Sequence, residues 1–160
     1  MYLEPENSEF LLYINSMAKP EENIIFLDFD GVIVHTGGAG NVMDQACVLR
    51  ISMAAYLAKA KIAIHSTWVH LDQPDYILGK LKEAGMMMEY LHEDWICKVE
   101  SQIKTEAISA WLVAHPGVKK YVVVDDDKIG EHPLVQIRDG WLKGGIQNEH
   151  IDEIVRVMGE

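Results

Sequence analysis

The sequence is poor in several features that would point to particular classes of protein. Only 2 of its 160 residues are cysteine, too few for a disulfide framework. Basic side chains are scarce, with 14 Lys and Arg against 25 Asp and Glu, so the formal net charge is −11. This balance disfavours non-specific binding to nucleic acid or to anionic lipid. A phosphorylated substrate is still compatible with it, because a cation held by carboxylates can reverse the local field.

Long apolar runs and a basic N-terminal segment are also missing. A membrane-spanning helix needs about 20 predominantly apolar residues, and the apolar runs of this chain are only a few residues long. The chain begins MYLEPENSEF, with acids where a secretory signal peptide has basic residues. Together with the low cysteine content, these absences predict a cytoplasmic protein with no membrane partner.

What the chain does contain is typical of one globular domain. Hydrophobic residues make up 49% and charged residues 24%, and 160 residues are enough to bury a core. We therefore predict a single domain over residues 1–160, in which residues 1–22 form a helical extension. Nothing in the sequence indicates an oligomeric state.

Short apolar runs alternate along the chain with segments of helical periodicity. The apolar runs predict strands at residues 23–28, 61–65, 85–91, 121–124 and 134–137. The periodic segments predict helices at residues 8–17, 44–59, 75–84, 104–115 and 148–157. This alternation predicts an α/β fold, namely a three-layer, Rossmann-like parallel sheet with helices on both faces.

Polar residues follow three of the predicted strands. Asp28 ends the first strand, Ser66 and Thr67 follow the second, and the three acids of residues 125–127 follow the fourth. Ligands of open parallel sheets bind beyond the carboxyl ends of the strands. We therefore expect these polar side chains to meet at one edge of the sheet.

The run Asp28-Phe29-Asp30-Gly31 carries the first candidate chemistry. Two close carboxylates repel each other unless a cation lies between them, and hard oxygen ligands suit Mg²⁺. One carboxylate could attack a phosphoryl group, and the other could protonate the leaving oxygen. Gly31 allows the chain to turn sharply away from the strand. Taken alone, the run is equally compatible with a simple turn or a helix cap.

Two further signals are individually weaker. The three acids of residues 125–127 follow a buried strand, which favours a metal site over a solvated loop in a chain that already has the first acidic pair. Ser66 or Thr67 could donate a hydrogen bond to a phosphoryl oxygen, although a helix N-cap is the commoner role of such residues.

Lys104 is the last of these signals. It precedes a predicted helix whose end could reach the same edge of the sheet. A lysine there could neutralise charge on a phosphoryl group, although a lone lysine is more often a solvated surface residue.

The seven histidines are scattered along the chain. They lack the spacing of a zinc site, such as two histidines one helical turn apart, and the two cysteines do not form a C-x-x-C pair. His35 and His70 come shortly after predicted strand ends and could line a pocket there.

In their order along the chain, the four polar signals resemble the four motifs of the haloacid dehalogenase (HAD) superfamily. The matching stretch runs over roughly residues 24–127. The pieces IIFLDFDGVIV, KIAIHSTW, KTEAISAWLVAHPGVKKYVVVDDD and LVQI are similar to the HAD domain found in Swiss Army Knife RNA repair proteins. Members of that branch carry a hydroxyl-rich motif ending in tryptophan, as Ser66-Thr67-Trp68 does, and an aspartate triplet.

The resemblance implies a Mg²⁺-dependent phosphomonoester hydrolase that acts through an aspartyl-phosphate intermediate, with a Mg²⁺ site built from acids. Asp28 would be the nucleophile and also a metal ligand. Asp30 would act as general acid and then base, and its backbone carbonyl would ligate the metal. Asp125 and Asp126 would complete the metal site, Asp125 most directly.

The resemblance also implies roles in holding the substrate. Ser66, with Thr67 as the alternative, would hold a phosphoryl oxygen. Gly31 and Trp68 would contact the substrate, and Lys104 would stabilise an aspartyl-phosphate.

Little of the chain is left for a cap domain, which in many such enzymes closes over small substrates. Residues 33–61 and 68–103, where caps are inserted, are short. We therefore expect a minimal cap or none, and an open site that admits a phosphate on a large molecule, such as a nucleic acid 3′ end or a phosphoprotein. A small phosphomonoester is the alternative substrate, and a non-catalytic HAD-fold binding or regulatory module is the alternative function.

Overall fold

A computed structural model describes residues 22–36 and 42–160 of the chain. It contains a five-stranded sheet in the order β3-β2-β1-β4-β5, in which all neighbouring strands are parallel. The strands are β1 (Glu22–Leu27), β2 (Ala60–Ile64), β3 (Leu91–Ile96), β4 (Val118–Asp125) and β5 (Leu134–Gln136). The predicted parallel α/β fold is confirmed.

Helices cover both faces of the sheet. The helices of the described residues are α1 (Gln45–Ala58), α2 (Trp68–Leu71), α3 (Pro74–Glu83), α4 (Lys104–Ala114), α5 (Gly140–Lys143) and α6 (Asn148–Gly159). Helices α1, α3 and α6 pack into one core with Ile25 and Leu27, whereas α4 packs into a second core with Ile24 and Phe26. Adjacent residues of β1 serve opposite cores because strand side chains alternate between faces.

Most elements lie where the apolar pattern placed them. β1 is the central strand, and its residues 24–27 are fully buried, as expected for a parallel strand covered on both faces. Helix α1 begins after Asp44, whose side chain accepts a hydrogen bond from the Cys47 N–H (3.0 Å). The predicted helix at residues 8–17 lies outside the described residues. Within those residues, no helix is long and apolar enough to cross a membrane.

The strand predicted at residues 85–91 is wrong in its position. A 3₁₀-helix occupies Met88–Tyr90, and the strand β3 begins only at Leu91. β3 lies at the edge of the sheet, and its Glu93 and Asp94 are exposed. These charged residues interrupt the apolar run that is typical of a central parallel strand. The strand was therefore predicted at the apolar methionines that precede β3.

The pairing of the three central strands brings the polar residues to one level. Leu27 of β1 pairs with Ile64 of β2 and with Val124 of β4. The next residue on each strand is therefore level with the others, and these three residues are Asp28, His65 and Asp125. Two backbone hydrogen bonds continue the ladder to this row, from the Asp28 N–H to the Val124 carbonyl (3.0 Å) and from the His65 N–H to the Leu27 carbonyl (3.1 Å).

The segment between β2 and β3 is part of the central domain and does not form a cap. Ile77 and Leu81 of α3 are buried in the same core as the sheet. The part of the chain that the structure describes therefore contains no separate domain standing over the carboxyl edge at this insertion point. Most of the other insertion point's loop, residues 37–41, lies outside the described residues.

Gly140, the first residue of α5, lies against the turn that follows β1. A Cβ atom added at Gly140 would be 1.8 Å from the Gly31 carbonyl oxygen. Because backbone cannot swing aside, Gly140→Ala is expected to lower the free energy of unfolding by about 2 kcal/mol, measured by chemical denaturation. The matched control is Gly79→Ala on α3, where nothing lies within 4 Å of the added Cβ. The control should raise stability by about 0.5–1 kcal/mol, and equal effects of the two variants would argue against the close contact.

Candidate active site

Three carboxylates converge beyond the carboxyl ends of β1 and β4. One oxygen of each of Asp28, Asp125 and Asp126 lies within 4.8 Å of the other two. Asp28 and Asp125 are 2% and 0% exposed, whereas Asp126 is half-buried. The structure thus brings together the acids that the sequence placed on separate strands.

Lys104 joins this cluster from the first turn of α4. Its Nζ lies 3.1 Å from Asp28 Oδ2 and 3.0 Å from Asp125 Oδ2. Burial alone would lower the pKa of Lys104, but the two carboxylates outweigh it and raise the pKa. The ammonium group therefore stays charged and bridges the two buried acids.

The cluster carries more negative charge than one lysine can neutralise. Burial, reinforced by the neighbouring Asp125 carboxylate, raises the pKa of Asp28 above its ordinary value. Burial and the adjacent acids raise the pKa of Asp126 as well. A divalent cation would relieve this repulsion, and an all-oxygen donor set is what Mg²⁺ prefers. The residues present therefore fit a Mg²⁺ ion.

Asp125 is held on both of its oxygens. Its Oδ2 accepts from His65 Nε2 (2.8 Å) and from Lys104 Nζ (3.0 Å), and its Oδ1 accepts from the Asp127 backbone N–H (2.9 Å). Burial alone would raise the pKa of Asp125, but the hydrogen bonds from His65 and Asp127 hold it below its usual range. The Asp127 side chain is exposed and is not among the three converging carboxylates.

Asp30 lies on a tight turn directly after β1. The Phe29 carbonyl accepts hydrogen bonds from the backbone N–H groups of residues 32, 33 and 34, which curl the chain back. The indole Nε1–H of Trp68 donates to Asp30 Oδ1 at 3.3 Å. Trp68 is 7% exposed, and its ring packs edge-to-face on Phe29 with the centroids 5.2 Å apart. Little of the Trp68 surface is therefore available for the substrate contact that the sequence predicted.

Gly31 lies under Asp126. Its φ is +81°, and a Cβ atom there would be 2.3 Å from Asp126 Oδ2. Glycine thus leaves room for one carboxylate of the acidic cluster, a role that the predicted substrate contact did not anticipate.

Ser66 and Thr67 follow β2 at the same edge but differ in exposure. Ser66 is fully buried, and its Oγ accepts the Trp68 backbone N–H at 3.3 Å, a bond of the N-cap type. Thr67 is exposed and makes no capping hydrogen bond with its side chain. The Ser66 hydroxyl keeps its own proton to donate.

Sequence reasoning missed His65 as a member of this site. It was one of seven scattered histidines, and no spacing links it to a partner. The available signal was its position, as a polar residue that ends an otherwise apolar strand and directly precedes Ser66.

Another group of potential ligands, around His35, lies outside the carboxylate cluster. His35 Nε2 is 2.7 Å from Asp44 Oδ2, and the Cys47 thiol donates to the Gly144 carbonyl (3.2 Å). Burial raises the pKa of Cys47 to about 11, so its sulfur remains a thiol. Because Asp44 also caps α1, these contacts serve to anchor the start of that helix.

Comparison with known proteins identifies one family. The family model described as "HAD domain in Swiss Army Knife RNA repair proteins" matches residues 24–142. Searches of the curated proteins and of the solved structures found no match. The matched stretch contains every residue of the carboxylate cluster, together with Lys104, His65 and Trp68.

Proposed function

From the premise that this chain belongs to the family of HAD domains found in Swiss Army Knife RNA repair proteins, we propose that it is a Mg²⁺-dependent phosphomonoester hydrolase. Family membership suggests phosphatase-like chemistry. The observation that carries the proposal is the bridge of Lys104 between Asp28 and Asp125 at the edge where the three carboxylates converge.

The proposed reaction has two steps at Asp28. A carboxylate oxygen of Asp28 attacks phosphorus while the bond from phosphorus to the leaving oxygen breaks, and Asp30 gives that oxygen a proton. Asp30 then takes a proton from water, whose oxygen attacks the phosphorus of the aspartyl-phosphate. The bond between phosphorus and the Asp28 oxygen breaks, which releases inorganic phosphate and restores the Asp28 carboxylate. Lys104, already beside Asp28, would neutralise charge on the phosphoryl oxygens.

The metal would be held by the side chains of Asp28, Asp125 and Asp126, with the Asp30 backbone carbonyl as a further ligand. Bound Mg²⁺ supplies positive charge that offsets the developing negative charge of the phosphoryl group. Ser66, or Thr67 as the alternative, would donate a hydrogen bond to a phosphoryl oxygen.

A phosphate at a nucleic acid end is the substrate we propose. The family description refers to RNA repair proteins. Among the described residues, the segment between β2 and β3 also places no cap over the carboxyl edge, which suits a large substrate. The net charge of −11 disfavours a broad grip on a polyanion, so recognition would rest on the terminal phosphate rather than on the length of the strand.

The test is phosphate release from an oligonucleotide 3′-phosphate and from para-nitrophenyl phosphate, each with and without Mg²⁺. We expect release that requires Mg²⁺, with the oligonucleotide as the better substrate. Faster release from the small ester would identify a small phosphomonoester, and not a nucleic acid end, as the substrate. No release from either, together with no Mg²⁺ binding by calorimetry, would favour the non-catalytic binding module.

Trp68 is proposed to hold Asp30 in place for proton transfer. Trp68→Phe keeps an aromatic ring against Phe29 but removes the N–H that bonds to Asp30. Losing this hydrogen bond is expected to lower kcat by about tenfold. Trp111→Phe is the control, since its indole N–H donates to the Asp94 backbone carbonyl on the edge strand β3 and not to a carboxylate of the site. Equal kcat values for the two variants would rule out the proposed role of Trp68.

A further inference from the structure

His65 is a buried titratable residue that the proposed reaction leaves without a role. It directly follows β2 and is level with Asp28 and Asp125 across the sheet. Its Nε2 lies 2.8 Å from Asp125 Oδ2, and both side chains are 0% exposed. Burying two polar side chains away from water costs free energy unless they are hydrogen-bonded, as these two are.

The imidazole has one way to make this contact. Because Asp125 is an acceptor, His65 must carry its proton on Nε2 to donate to it. Its Nδ1 is buried and has no hydrogen-bond partner among the described residues.

The hydrogen bonds on Asp125 leave little choice of metal geometry. An ionised carboxylate has about four acceptor positions. On Asp125, His65 and Lys104 occupy Oδ2, and the Asp127 N–H occupies one position on Oδ1. The remaining position is on Oδ1, which is therefore the oxygen free to face a metal ion.

The His65 side chain hydrogen-bonds to Asp125, whereas Lys104 is shared between Asp125 and Asp28. Lys104 is shared with the nucleophile Asp28 at 3.1 Å, and its side chain is 21% exposed, so a phosphoryl group can draw it away. The His65 bond is fully buried and would persist through such a change.

We propose that His65 is a positioning residue that holds Asp125 Oδ2, so that Oδ1 is presented to Mg²⁺. This inference rests on the proposed function, because it assigns the metal site of that reaction. Outer hydrogen-bond partners of metal ligands typically affect affinity by about 10- to 100-fold. His65 would therefore set the affinity of the site for Mg²⁺ without touching either the metal or the substrate.

The test compares Mg²⁺ affinity, measured by titration calorimetry on the full chain, for the wild type, His65→Gln and His65→Asn. The Gln amide can reach the position of Nε2, whereas the Asn amide is one methylene shorter and falls near Nδ1, away from Asp125. Both variants bury an amide, so their thermal transitions should be similar. We expect His65→Asn to bind Mg²⁺ about 10- to 100-fold more weakly, and His65→Gln to stay close to the wild type.

Equal Mg²⁺ affinities of the two folded variants would overturn the role of His65. A wild type that binds no Mg²⁺ would instead overturn the proposed function, and this inference would fall with it. If His65→Asn loses its cooperative thermal transition, a nitrogen NMR spectrum of the wild-type histidines decides. A proton on Nε2 supports the proposal, and a ring whose only proton is on Nδ1 rules it out.

Discussion

Replacing Asp28 by Asn is expected to lower phosphate release by about 10³-fold or more. The amide keeps the shape of the side chain but removes the nucleophilic charge, so the aspartyl-phosphate cannot form. Asp28 is the candidate nucleophile because it is buried at the end of β1 and bonded to Lys104. Turnover is measured with and without Mg²⁺ on the oligonucleotide 3′-phosphate.

The matched control is Asp127→Asn. Asp127 belongs to the same acidic triplet as two of the converging carboxylates, but its side chain is exposed and lies outside their group. This variant should keep most of the activity. If Asp28→Asn turns over substrate as fast as the control, Asp28 is not the nucleophile.

Stability measurements on the metal-free protein show whether the Asp28→Asn variant is folded. Burial, together with Asp125, raises the pKa of Asp28 in the folded state, so its ionised form opposes folding. This cost is absent below the ordinary carboxyl pKa of 3.8 and grows as the pH rises above it. The variant lacks this cost, so it should gain stability relative to the wild type as the pH increases from acid to neutral.

Gly31→Ala is expected to lower turnover and Mg²⁺ affinity by about 10²-fold. The added Cβ would lie 2.3 Å from Asp126 Oδ2, and a carboxylate side chain yields more easily than backbone. Asp126 would therefore swing away from Asp28 and Asp125, and the acidic cluster would lose one member. Calorimetry with Mg²⁺ and the phosphate-release assay measure the two losses.

Gly85→Ala separates this effect from backbone strain. Gly85 follows α3 and has a φ of +94°, close to the +81° of Gly31, but nothing lies within 4 Å of its added Cβ. Both variants should lose about 1–2 kcal/mol of stability from the left-handed conformation. Only Gly31→Ala should also lose Mg²⁺ affinity, and a parallel loss in Gly85→Ala would show that strain alone is responsible.

The residues of the candidate site that could be predicted from the sequence are mainly those at the ends of strands. Asp28, Ser66 and Asp125 were located because apolar runs end at them, and parallel strands deliver such residues to one edge. Lys104 was located because it begins a segment predicted as a helix, and α4 returns its first turn to the same edge. The edge strand β3 was misplaced because Glu93 and Asp94 interrupt its apolar pattern.

The sequence by itself determined the parallel α/β fold and which acids end strands at one edge of the sheet, since these depend on local patterns of apolar and acidic residues. Tertiary structure alone decided the partners: Trp68 with Asp30, 38 residues apart, and His65 with Asp125, 60 residues apart. The tertiary structure also put Asp126 above Gly31. Such pairings depend on strand register and on side-chain directions across the sheet, and neither leaves a local pattern in the chain.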